Sequence, residues 1–135
     1  MKKKILILIM IILFTSACSS SYLKKIDLNE LNKKLENQET FVLYLTNEDE
    51  YGTTLRNTLL EVAKENNIKT FYLNTQKITN EEELDSLKDN FYFEESNFIV
   101  FVKKGNETTV LSRIDDPYIS KNKLKEELKN QGYIK

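Results

Sequence analysis

The chain has 135 residues, 40% hydrophobic and 30% charged, with 20 basic residues against 21 acidic ones. One cysteine and no histidine exclude an internal disulfide, a Cys/His zinc site, a redox thiol pair and an imidazole-based triad. Beyond residue 17 the chain is weakly acidic, with no Lys/Arg cluster to suggest nucleic-acid binding.

At the start, Lys2, Lys3 and Lys4 precede an unbroken apolar run from Ile5 to Phe14, then Thr15-Ser16-Ala17 and Cys18. A charged segment, an apolar segment and small residues are the three parts of a secretory signal. A membrane-spanning helix needs roughly 20 apolar residues, about twice this run. The segment Phe14-Thr15-Ser16-Ala17-Cys18 resembles the lipobox of bacterial lipoproteins, with Thr15 where leucine is usual. That resemblance implies removal of residues 1–17 and diacylation of the Cys18 thiol. The domain would then sit on the extracytoplasmic face of the cell membrane. Two acyl chains, at about 0.8 kcal/mol per buried methylene, anchor stably without a membrane span. The alternative is ordinary secretory cleavage near Ala17, leaving Cys18 as an incidental thiol. Loss of the three signal lysines from the 20 basic residues leaves 17 against 21 acidic ones, a net charge of −4.

Residues 18–24 read as a polar tether and 25–135 as one domain, long enough to bury its own core. Asp27 with Glu30 has capping-box form, and Leu28, Leu31 and Leu35 recur at helical spacing, predicting a helix that ends near Gln38. Phe41–Leu45 is a continuous apolar run, the pattern of a strand buried on both faces. Leu55, Leu59, Val62 and Ala63 mark a second helix around 52–66, and Ile68–Leu73 a second strand. Thr79 with Glu82 suggests a capping box opening a third helix to about Lys88. Its acidic start, Glu81-Glu82-Glu83, suits the helix dipole. Phe98–Val102 reads as a third strand, Lys103–Asn106 as a turn, and Thr108–Ile114 as an antiparallel return. A last helix runs from Ser120 to about Asn130 and stops at Gly132. Strands alternating with helices imply parallel βαβ units closed by one hairpin.

The stretches Phe41–Thr46, Leu59–Ala63, Phe71–Asn74 and Asn97–Gly105 resemble the thioredoxin superfamily, and the likeness covers residues 25–133. The phrase around Phe71–Thr75 is also similar to the small bacteriocin-transport accessory branch. The resemblance implies an α/β, thioredoxin-like fold with a central four-stranded mixed sheet flanked by helices. Function in that family rests on a Cys-x-x-Cys pair at a helix start, where the dipole lowers the thiol pKa. Laid on Phe41–Ala63 without a gap, it puts Asp49-Glu50-Tyr51-Gly52 on those positions; a small slip would put Tyr51–Thr54 there. Asn97 takes the cis-proline position and Leu43 that of the buried acid, while the only proline is Pro117. A non-proline cis bond costs about 3 kcal/mol, so Asn97 is expected to be trans.

No carboxylate or tyrosine can carry two electrons through a mixed disulfide. Thiol–disulfide activity is therefore not expected, and no cofactor or metal is implied. Asp49 and Glu50 read as ordinary helix-start charges, and a Glu48–Asp49 acid–base pair lacks a supporting pocket signature. Phe91 and Phe93 read as core and Tyr92 as exposed. The expected role is to bind a protein or peptide partner through the old substrate groove, Asp49, Glu50, Tyr51, Gly52 and Thr53 with Asn97. The alternatives are an accessory part of a secretion, bacteriocin or mobile-element system, or an enzyme with non-thiol chemistry.

Overall fold

The computed structural model describes residues 22–91, 97–110 and 118–135. The signal, Cys18, Tyr92, Phe93 and Pro117 lie outside the described residues, as does residue 96, which forms the peptide bond to Asn97.

The described elements run β1 (Leu23–Lys25), α1 (Leu28–Glu36), β2 (Phe41–Thr46), α2 (Glu50–Asn66), β3 (Thr70–Asn74), α3 (Glu81–Phe91), β4 (Phe98–Lys103), β5 (Asn106–Val110) and α4 (Lys121–Asn130). They build one mixed sheet in the order β1-β3-β2-β4-β5. β1, β3 and β2 are parallel, and β4 and β5 are antiparallel additions. This is the thioredoxin-like α/β arrangement, and the four expected strands form its mixed core. The fifth, β1, corrects the reading of Leu23 and Lys24 as tether, since they pair with Thr70 and Phe71. Leu23 is buried, and Ile26 donates its N–H to the Tyr72 carbonyl at 2.9 Å, which extends the pairing past Lys25.

β2 is apolar from Phe41 to Leu45 because both its faces are covered. Val42 and Tyr44 join Leu55, Leu59 and Val62 of α2 and Leu124 and Leu128 of α4. Phe41, Leu43 and Leu45 face the other way, against Leu31 of α1 and Leu87 and Phe91 of α3. Leu43 is fully buried among these apolar side chains and is part of a hydrocarbon layer.

The expected capping box at Asp27 is present, with Asp27 Oδ1 accepting from the Glu30 N–H at 2.7 Å and Glu30 Oε2 from the Asp27 N–H at 3.1 Å. Other element ends differ from the reading. Asn80, not Thr79, caps α3, accepting from the Glu82 N–H at 3.0 Å and the Glu83 N–H at 3.3 Å. α3 continues past Lys88 to Phe91 because that ring is buried against Leu87's side of the core. β3 starts at Thr70 rather than Ile68, since Asn67, left-handed at φ 53, closes α2 with Ile68 N–H donating back to the Ala63 carbonyl. Lys104 and Gly105, at φ 50 and 73, form a two-residue turn that starts β5 at Asn106, earlier than the expected Thr108. Residues 111–114 of that expected strand lie outside the described ones.

Candidate functional site

The parallel strands bring the end of β2 beside the start of α2, and the antiparallel pairing of Leu45 with Phe98 sets Asn97 across from Thr46. Asp49 caps α2, its Oδ1 accepting from the Gly52 N–H at 2.7 Å. The same oxygen accepts from Asn97 Nδ2 at 2.9 Å. Asn97 Oδ1 in turn accepts from the Thr46 hydroxyl at 2.9 Å, while Thr46 Oγ1 accepts from the Glu48 N–H at 2.9 Å. Asn47 Oδ1 closes the loop on the Asp49 N–H at 3.2 Å. From below, the buried Tyr44 hydroxyl donates to the Gly52 carbonyl at 2.7 Å. Burial, together with the Asp49 charge, outweighs the Thr46 hydrogen bond and the Arg56 charge and pushes the Tyr44 phenol up to about 12. It is a protonated donor at neutral pH.

The network leaves no room for a side chain at Gly52. A Cβ there would lie 2.5 Å from Asn97 Oδ1 and 2.7 Å from Thr46 Oγ1. Asn97 itself is held at φ 135, a region few non-glycine residues occupy, by the bonds at both ends of its amide.

The six groove residues therefore divide. Asp49, Gly52 and Asn97 meet in the network; Glu50, Tyr51 and Thr53 project from the first turn of α2, exposed, with Tyr51 at 55%. The reading of Asp49 as a helix-start charge holds, since its carboxylate caps the helix. Tyr44, Thr46 and Asn47 escaped the sequence reading. The only signal for them was a polar residue, Thr46, ending an apolar strand.

Chemically the site offers hydrogen-bonding surface and an aromatic side chain, with one carboxylate oxygen already accepting two donors. Among the described residues no group of three His, Cys, Asp or Glu could hold a metal ion. Two adjoining clefts, of about 420 and 330 Å³, lie elsewhere, between α1 and α3, and share Leu28, Asn32 and Glu83. None of the six groove residues lines either cleft.

Compared with known proteins, the chain matches no family model and no curated protein.

Proposed function

We propose that the chain is a redox-inactive thioredoxin-fold lipoprotein, anchored through Cys18 at the extracytoplasmic face of the cell membrane, that binds a protein or peptide as an assembly module. The observation that carries this is the network at the thiol position of the fold. A neutral amide, Asn97, bonded to Asp49 and Thr46, stands beside an exposed Tyr51. Residues 19–135 contain neither cysteine nor methionine, so two-electron thiol exchange has no carrier there. An ordered rim of backbone and amide groups next to an aromatic is the equipment of peptide recognition.

The test places a photo-crosslinking amino acid at Tyr51 in membrane-anchored protein, with a matched probe at Glu126 on α4, which is exposed. A discrete adduct from Tyr51 alone, lost on Asn97→Ala, supports groove binding. Equal adducts from both positions, or insulin reduction above background, sinks the reading. Intact mass of the mature product tests the anchor, which requires diacylglycerol on Cys18.

A further inference from the structure

The parallel strands β1, β2 and β3 give the domain two unlike ends. Lys25, Thr46 and Asn74 close them at the end that holds Asp49 and Asn97, with Thr75 Oγ1 donating to the Thr46 carbonyl at 3.3 Å. Their beginnings meet at the opposite end, where Leu23 and Val42 both pair with Thr70 and the Thr70 N–H donates to the Tyr22 carbonyl at 2.9 Å. The β4–β5 turn belongs to that second end. Its Lys104 N–H donates to Thr40 Oγ1 at 3.1 Å and its Gly105 N–H to the Glu39 carbonyl at 3.0 Å.

Lys69, Lys103 and Lys104 are exposed at this second end. Lys33, Lys34 and Lys64 also point to it, but they stand in the last turns of α1 and α2, where the helix dipole accounts for them. Lys69, Lys103 and Lys104 lie outside every helix, so no dipole accounts for them, although Lys103 Nζ also stands 6.0 Å from the Tyr133 ring centroid. Among the described carboxylates at this end, Glu39 is held by Lys34 at 2.8 Å and Glu65 by Lys121 at 3.1 Å, leaving Glu36. The far end carries Asp27, Glu48, Asp49, Glu50 and Glu81–Glu83 against Lys25 and Lys77.

We propose that the end bearing Lys69, Lys103 and Lys104 is a membrane-facing surface that lies on anionic phospholipid headgroups and turns the Asp49–Asn97 end outward. The inference rests on the lipid anchor proposed above. Only four peptide steps separate Cys18 from Tyr22, a reach of at most about 14 Å when fully extended. An acylated chain therefore enters the fold at Tyr22, whose carbonyl holds Thr70, the neighbour of Lys69. A tether of that reach lets ammonium groups at this end come within the Debye length of about 8–10 Å of the phosphates, where each raises partitioning about fivefold.

The experiment uses the full acylated chain in vesicles of phosphatidylcholine alone or mixed equally with phosphatidylglycerol. A fluorophore sits at Glu36→Cys or at Tyr51→Cys, and nitroxide-labelled lipid is the quencher. Stronger quenching at position 36 is expected in the anionic vesicles, abolished by high salt and by the Lys69→Glu/Lys103→Glu/Lys104→Glu variant. The variant's fold is checked by circular dichroism, and a variant that fails that check is replaced by Lys→Gln at the same positions. Position 51 should remain unquenched. Equal quenching in both lipids, equal quenching in the variant, or quenching at position 51 overturns the proposal. The mass of the mature product separates the two readings. If Cys18 carries no lipid, the anchor fails, and partitioning of the unacylated product tests the lysines alone. Preference for anionic vesicles, lost in the variant, then supports the surface; identical partitioning into both vesicles overturns it.

Discussion

A methyl group at Gly52 would sit 2.5 Å from Asn97 Oδ1, inside the network that ties β2, α2 and β4 together. Gly52→Ala is accordingly expected to lower unfolding free energy by about 1–3 kcal/mol in urea titrations followed by circular dichroism. The chain has no tryptophan to report the transition. The same lack of space means that Asp49→Cys with Gly52→Cys would not restore a working dithiol. Asn97 allows a finer test. Asn97→Ala loses both amide bonds and keeps the unfavourable φ of 135, whereas Asn97→Gly loses the bonds and relieves the backbone. The glycine variant should be the more stable of the two by about 1 kcal/mol. Alanine as stable as glycine would mean that the backbone there is unstrained. Tyrosine ionisation gives a pH test. Burial raises the phenols of Tyr44 and Tyr133 from 10.0 to about 12. The unfolded chain therefore releases these protons first, so their contribution to stability is full below about pH 10 and is lost as pH rises through 12. Phenolate absorbance from these two rings should appear near pH 12 in the folded chain and near pH 10 once it is unfolded. Tyr44, Thr46 and Asn47 were not legible as site residues because their partner, Asn97, lies 50 or more positions away in sequence.

Element ends show how far local chemistry reaches. Asp27 and Glu30 were readable because a capping box is complete within four residues, and Asp27→Ala should cost about 1 kcal/mol in thermal or urea unfolding. At α3 the same reasoning chose Thr79, one residue early. Asn80 is as good a capping residue by type, and only the path of the chain after Thr75–Lys77 decides between them. β1 was not legible, since three residues with a single buried side chain, Leu23, carry no period. Gly105 was read as a turn residue, but the demand on it is stronger than turn geometry alone. A Cβ there would strike the Leu35 carbonyl oxygen at the end of α1, and φ is 73. Gly105→Ala should therefore destabilise more than Gly132→Ala, where φ is 82 and the space is open. Comparable losses in the two variants would argue against the α1 contact.

At the scale of the whole molecule, β2 is the shared wall of two apolar layers. Leu59→Ala on one side and Leu45→Ala on the other should each cost about 2–5 kcal/mol. Each should shift one common transition, because neither layer exists without β2. Two separable transitions would contradict a single cooperative core.

The sequence by itself determined the order of the elements from α1 onward, the double burial of β2 and the lack of a cysteine pair. Each follows from residue type and short-range spacing. Only the tertiary structure decided that Asn97 fills the space beside Gly52. The gathering of Lys69 with Lys103 and Lys104 at the end of the sheet where the chain enters was likewise decided in three dimensions. Hydrogen-bond networks and charged surfaces depend on distances between segments far apart in the chain, and sheet pairing sets those distances where local periodicity does not.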